Sequence, residues 1–158
     1  MLSLLLVTAP ASAYPIAKER ELGERFSLEA ASALPLVREA EVVVFVDRMA
    51  RRIVSRLGAP QPFDYRFYVV RDPQLNAFAV PGGFVYVHSG LVTRVANDSE
   101  LAGVLGHEIA HAHAHHIVRQ QEKSQLLTYT ALAGVLLSVI QPALGAAALG
   151  ASAAGQLK

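Results

Sequence analysis

The stretch GHEIAHAHAHH, residues 106–116, contains five of the six histidines in the chain. His107 and His111 are four positions apart, so on a helix their side chains lie on one face, one turn apart. Two imidazoles in this arrangement can bind one ion, with Zn–N bonds of ~2.0–2.1 Å. Glu108 lies outside the row of ligands but within reach of a water on the metal. The pattern HExxH therefore predicts one Zn²⁺ per chain, with Glu108 as the general base of a hydrolase.

The other histidines of this stretch are predicted not to share that ion. His113 is rotated by ~200° from His111 about a helix axis, and His115 lies ~12 Å along the axis from His107. His116 falls beside the apolar stripe of the helix. A second site formed by His111 and His115 would empty the first. A metal-buffering module, which would bind several ions per chain, is nevertheless kept as a third possible function.

The helix that carries the motif has recognisable start signals. Asn97 can cap it, and Glu100 three residues later completes a capping box that contributes roughly 1 kcal/mol. The helix is predicted to continue to about Lys123. Its apolar stripe is turned away from the ligand row, so this face anchors the helix while the histidines face a cleft. The stripe consists of Leu101, Leu105, Ile109 and Ala112.

Two helices are predicted upstream. Residues 17–33 favour a helix that is interrupted by Pro35. Apolar residues recur at three- to four-residue spacing across 42–57, with arginines opposite, which indicates an amphipathic helix ended by Gly58 and Pro60 rather than a strand at VVVFV. The arginines are interpreted as a solvated face without a function.

Three strands are predicted between these helices and the motif. Residues 64–70 alternate as in a strand, while 76–80 and 84–88 should form a hairpin, because Pro-Gly-Gly at 81–83 supplies the turn angles. His88 on the last strand is expected to be a packed or rim residue rather than a ligand. The predicted fold class is α+β, with N-terminal helices, a small β-sheet with a hairpin, a central active-site helix and an apolar helical C-terminal segment.

Composition excludes several classes of function. The 158 residues carry a formal net charge of +1 and contain no cysteine. No basic surface that would bind nucleic acid is expected, and disulfides, thiolate ligands and a cysteine nucleophile are excluded.

The amino-terminal residues are interpreted as an export signal. The apolar run Leu2–Val7 precedes Ala11-Ser12-Ala13, which has the small-x-small form of a cleavage site. Residues 1–13 are predicted to be a signal peptide, and a truncated start would account for the missing basic residue before the run. The alternative is a buried terminal segment.

The remaining chain divides into two parts. Residues 14–123 are assigned to the N-terminal part of a metallopeptidase domain. Residues 124–158 form an apolar segment with no charge before Lys158. The apolar character of this segment fits either a membrane-associated segment or a buried helical hairpin. Pro142 interrupts it and leaves an apolar stretch that is shorter than the ~20 residues that a membrane span needs.

Two blocks resemble a known family. LNAFAVPGGFVYVHSGLV (75–92) and NDSELAGVLGHEIAHAHAHH (97–116) are similar to the gluzincin metallopeptidases that include HtpX, the CAAX prenyl endopeptidase and the periplasmic BepA-type proteins. The exported bacterial members are the most similar, and the resemblance covers roughly residues 18–121. It implies a gluzincin-type peptidase domain with zinc ligands His107 and His111, general base Glu108, and a cleft-edge strand that binds an extended peptide through Asn76, Ala77 and Phe78.

The chain departs from that family at the third zinc ligand, which the family places on a later helix in an E-x-x-x-D pattern. The only acidic residue after His111 is Glu122. It lies ~16 Å further along the same helix by the helical rise, so it cannot close the site. The third ligand is therefore expected beyond Lys158, and the chain alone is expected to bind zinc weakly.

The resulting prediction is a zinc-dependent endopeptidase of the bacterial cell envelope. The resemblance implies a periplasmic location and unfolded or misassembled proteins as substrates. If the apolar segment 124–157 is not the buried hairpin, it is expected to contact the membrane or a membrane protein. The second hypothesis is a truncated, proteolytically silent relative that binds polypeptides or assists assembly.

Overall fold

A computed structural model describes residues 16–58 and 60–114. The predictions for the signal peptide, for His115 and His116, for the helix beyond Ala114 and for 124–158 lie outside these residues. The helices are α1 (Ile16–Ala33), α2 (Ala40–Val54), α3 (Ser89–Arg94) and α4 (Asp98–His113), and the strands are β1 (Arg66–Val70), β2 (Ala77–Val80) and β3 (Phe84–His88). Mixed helices and a small sheet confirm the predicted α+β class.

The helices agree with the periodicity, apart from their ends. The run VVVFV lies in α2, as predicted, and α2 ends at Val54, three residues before the predicted end. A turn follows as far as Gly58, whose φ of 79° lies in the left-handed region. The short helix α3 was not predicted. In the described ranges, no helix combines the length and the apolar character that crossing a bilayer requires.

The three-stranded sheet has the order β1-β3-β2. The predicted hairpin is confirmed, since β2 and β3 pair in antiparallel fashion with Val80 opposite Phe84. Pro81–Gly83 form the turn, and Gly82 has a φ of 82°, a conformation that glycine adopts without strain. β1 pairs with β3 in parallel. The hairpin therefore leaves β2 at one side of the sheet.

Helices cover both faces of the sheet. Helices α2 and α4 pack on one face, where the core includes Val46, Val69, Val85, Val87, Leu105 and Ile109. Helix α1 packs on the other face, where Phe26 contributes to a cluster with Val70, Phe78, Phe84 and Tyr86. Helix α1 also lies against the hairpin turn, because a Cβ at Gly23 would be 2.0 Å from the carbonyl oxygen of Pro81.

The two edges of the sheet have different neighbours. At the β1 edge, the N–H of Val37 donates to the carbonyl oxygen of Val69 at 2.8 Å, and the N–H of Arg71 donates to that of Pro35 at 2.7 Å. Residues 35–37 thus cover this edge. The β2 edge instead faces α4, and the N–H of Ala79 donates to the carboxylate of Glu108 at 3.1 Å.

Candidate metal centre

The start of α4 is fixed by its cap. The side-chain oxygen of Asn97 accepts hydrogen bonds from the N–H groups of Ser99 and Glu100, at 3.0 and 3.2 Å. The predicted N-cap is confirmed. The carboxylate of Glu100 accepts from the N–H of Ala96 at 2.9 Å, one residue earlier than the predicted capping box requires.

The rotation of α4 about its axis is fixed by its buried stripe. Leu101, Leu105 and Ile109 are fully buried and Ala112 is 3% exposed, so the predicted stripe is confirmed. Because residues three and four apart share a helix face, this stripe leaves the HExxH histidines on a face that is open to solvent. His107 is exposed and His111 is partly exposed.

The structure brings His107 and His111 together. Their Nε2 atoms are 2.9 Å apart, and the ring planes are inclined at 84°. Two nitrogens bound tetrahedrally to zinc at ~2.0–2.1 Å would be ~3.3 Å apart. The pair would therefore open by only ~0.4 Å to hold an ion, a shift that small side-chain rotations provide. Two imidazole donors on one turn fit a zinc site.

Glu108 lies between the two histidines in sequence and points towards the sheet. Its side chain is half-buried, and Oε2 accepts the hydrogen bond from Ala79. Burial raises the pKa of the Glu108 carboxyl, and this effect exceeds those of the Ala79 hydrogen bond and the two histidines, which lower the pKa. A half-buried carboxylate with a raised pKa is typical of a group that accepts and returns a proton.

The remaining described histidines lie elsewhere. Nδ1 of His113 is 3.2 Å from the hydroxyl of Tyr65, as expected for a residue turned away from the ligand pair. His88 is buried, which confirms the prediction that it is packed. Its ring meets Phe78 edge-on, and Nδ1 is 3.5 Å from Oδ1 of Asp72.

Residues 16–58 and 60–114 contain no group of three or more His, Cys, Asp or Glu that could hold a metal. Within this part of the chain, His107 and His111 are the two predicted ligands that the structure brings together, and Glu122 lies outside it. The third ligand stays a prediction.

In the described part of the chain, the predicted peptide-binding strand β2 lies at an edge of the sheet that no further strand covers. Its residues differ in the direction of their main-chain groups. The carbonyl oxygen of Asn76 accepts from the N–H of His88 at 3.0 Å, so its main chain faces β3. Alternation in an antiparallel pair turns Phe78 the same way and turns Ala77 and Ala79 outwards. Ala79 was not among the predicted contact residues, although the two-residue period that selects Ala77 also selects Ala79.

The fold and the site together define an α+β domain with an HExxH helix beside a sheet edge, which is the arrangement of a metallopeptidase. The sequence pattern of peptidase family M48 matches residues 38–157. The chain belongs to this family.

Relatives of known name support the assignment. The β-barrel assembly-enhancing protease of Escherichia coli (strain K12) is 31% identical over 152 residues, which cover 94% of this chain and 31% of the relative. The protein of the same name from Yersinia pestis is 32% identical over 152 residues, with the same coverage of both chains. The mitochondrial metalloendopeptidase OMA1 of Schizosaccharomyces pombe is 38% identical over 73 residues, which cover 46% of this chain and 21% of the relative. The chain spans about a third of the length of the two bacterial relatives.

Proposed function

We propose that this protein is a zinc-dependent endopeptidase of the bacterial cell envelope that hydrolyses peptide bonds of unfolded or misassembled proteins. The observation that carries the proposal is the approach of the His107 and His111 Nε2 atoms to 2.9 Å on the open face of α4, with the Glu108 carboxylate at the adjacent sheet edge. Membership of a metallopeptidase family supports the reaction class.

Each residue of the motif has a separate role in this proposal. His107 and His111 hold the zinc, together with a third ligand from outside the described residues. When bound, zinc supplies Lewis acidity, which polarises a carbonyl and lowers the pKa of water. Glu108 takes a proton from the attacking water and delivers it to the leaving amine as the carbon–nitrogen bond breaks.

The peptide is proposed to bind as an added strand at the β2 edge. Main-chain hydrogen bonds recognise an extended backbone whatever its side chains are, so this mode of binding suits unfolded segments. The names of the bacterial relatives refer to β-barrel assembly. Unfolded or misassembled envelope proteins are therefore the proposed substrates, in the periplasm or at the membrane surface.

Hydrolysis of an unfolded substrate by the purified, zinc-loaded protein tests the proposal. The assay uses a version of the protein that supplies the third ligand. We expect casein and an unfolded outer-membrane protein to be cleaved, a chelator to stop cleavage, and one equivalent of zinc, added after the chelator is removed, to restore it. The folded form of the same outer-membrane protein is the matched control, and it should be cleaved much more slowly.

Other outcomes would favour the other functions. Binding of unfolded polypeptide without cleavage by the zinc-loaded protein would identify a proteolytically silent relative. Several zinc ions per chain in native mass spectrometry would indicate a metal-buffering module, whereas the peptidase binds one. Export needs a separate test, in which the cell is fractionated and the amino terminus of the protein is determined. We expect a mature protein that begins near Tyr14 in the periplasmic fraction. A cytoplasmic protein that retains Met1 would contradict export.

A further inference from the structure

The β2 edge, which no further strand covers within residues 16–58 and 60–114, presents main-chain groups in a fixed order. Since Asn76 pairs with His88 and Phe78 lies opposite Tyr86, the outward-facing amides of β2 belong to Ala77 and Ala79. The strand contains only the four residues Ala77–Val80. An arriving peptide therefore meets two outward N–H groups on β2.

One of these two groups is already used. The N–H of Ala79 donates to Oε2 of Glu108 at 3.1 Å. Ala79 is buried and lies opposite Val85 of the central strand, so its N–H has a direction that is set by the sheet and not by a rotamer. A carboxylate held by such a donor loses much of the side-chain freedom that an exposed glutamate retains.

We infer that the backbone N–H of Ala79 is a positioning group for Glu108, so that the strand proposed to bind the peptide also aims the proposed base. This inference rests on the proposed function and adds a residue that lies outside the HExxH motif. It also restricts the peptide, because among residues 16–58 and 60–114 the N–H of Ala77 is the outward donor of β2 for which the structure shows no partner. Pairing of the peptide would then depend on Ala77, and alignment of Glu108 would depend on Ala79, two residues further along the same strand.

Amide hydrogen exchange of the full chain tests the positioning without any need for activity. The Ala79 amide should exchange at least tenfold more slowly than the Ala77 amide. Glu108→Gln retains a side-chain oxygen that can accept the bond, so it should preserve this protection. Glu108→Ala should remove it while the amides of β3 stay protected.

Two results of this experiment would overturn the inference. The first is equal exchange of Ala77 and Ala79 in the unaltered protein, a comparison that needs no variant and so holds even if Glu108→Ala unfolds. The second is continued protection of Ala79 in a folded Glu108→Ala variant.

Kinetics of proline variants give the functional test. Proline lacks an N–H, and edge strands accept it where that group faces outwards. In the zinc-loaded protein, Ala79→Pro should lower kcat at least tenfold with KM within twofold, whereas Ala77→Pro should mainly raise KM. Equal effects of the two variants on both constants would contradict the positioning role. Absence of hydrolysis in the unaltered protein would instead refute the proposed function. The exchange experiment would still test the bond between Ala79 and Glu108, because it does not depend on activity.

Discussion

The two edges of the sheet differ in what the chain places against them. Residues 35–37 hydrogen-bond along β1 and end the sheet on that side. At the other side β2 is four residues long, and one of its outward groups, the N–H of Ala79, bonds to the helix that carries HExxH. Exposed strand edges invite pairing with other chains, and proteins usually cover or shorten them. Here one edge is covered and the other is kept short and placed beside the candidate metal centre. The edge that the described residues leave uncovered is therefore the one that the proposed chemistry needs.

The largest effect, a loss of zinc binding, is expected from removing a predicted ligand on α4, beside the β2 edge. His111→Ala should abolish zinc binding, since two ligands from this helix cannot be reduced to one without loss of the site. His113→Ala is the matched control, because the ring of His113 contacts Tyr65 and not the ligand pair. Isothermal titration calorimetry with zinc measures both variants. A greater loss of zinc binding in His113→Ala than in His111→Ala would show that the ligand assignment is wrong.

The next largest effect concerns the proposed base. Glu108→Gln should keep the fold and the zinc while peptide hydrolysis falls by ~10²–10⁴-fold, the usual contribution of a proton carrier. Glu29→Gln changes an exposed carboxylate on α1, across the sheet, and should leave hydrolysis unchanged. Cleavage of a fluorogenic peptide by both variants decides the point, and full activity in Glu108→Gln would exclude Glu108 as the base.

Proline at each edge separates stability from binding. Val37→Pro removes the donor of the 2.8 Å bond to Val69 and should lower the free energy of unfolding by about 1–3 kcal/mol. Ala77→Pro removes an N–H that pairs with no strand of the sheet, so it should lower the free energy of unfolding less and raise KM instead. Urea denaturation and steady-state kinetics distinguish the two. If Ala77→Pro is the more destabilising variant, the two edges do not differ as described.

The smallest effect on stability is expected from the hydrogen bond that joins the chain before β1 to the end of α4. Tyr65 precedes β1, and its hydroxyl meets His113 at the end of α4. Tyr65→Phe should cost about 0.5–1.5 kcal/mol of unfolding free energy, as expected for one hydrogen bond. Zinc binding should be unchanged, because the ligand pair is not touched.

Tyr65, together with Tyr86, should make the free energy of unfolding depend on pH in the alkaline range. Burial raises the pKa of Tyr65 and Tyr86 to about 12, from 10.0 in an unfolded environment. The folded chain therefore keeps these phenol protons to higher pH than the unfolded chain does. Their contribution to stability is complete below about pH 10 and is lost as the pH rises through about 12. Urea midpoints should fall across this range, less steeply in Tyr65→Phe, and identical slopes would count against the assignment.

Local patterns in the sequence predicted much of the fold. The stripe Leu101–Leu105–Ile109 and the hairpin over 76–88 depend on spacing within one element or one turn, and the structure confirms both. The identity of α2 was also recoverable, because its periodicity continues past VVVFV.

What the sequence did not predict depends on contacts between distant segments. The parallel pairing of β1 with β3 and the cover of 35–37 over β1 join residues that no local pattern relates. Helix α3 has six residues, too few for a periodic signal. The bond from Ala79 to Glu108 connects positions 29 apart and becomes visible only when β2 and α4 are placed together. For the candidate site, HExxH predicted the histidine pair but not the strand residue that holds the glutamate.

Gly103, one turn before the motif on α4, offers a spectroscopic probe. A Cβ added there would meet nothing within 4 Å. The chain contains no cysteine, so Gly103→Cys would create a single thiol for a fluorophore or a spin label. Cysteine is also a better helix former than glycine by about 0.3 kcal/mol, so the labelled chain should fold at least as well. Zn²⁺ has a filled d shell and does not itself quench a dye, so Co²⁺ in its place, with unpaired d electrons, would report occupation of the candidate site by quenching, in real time and without any cleavage assay.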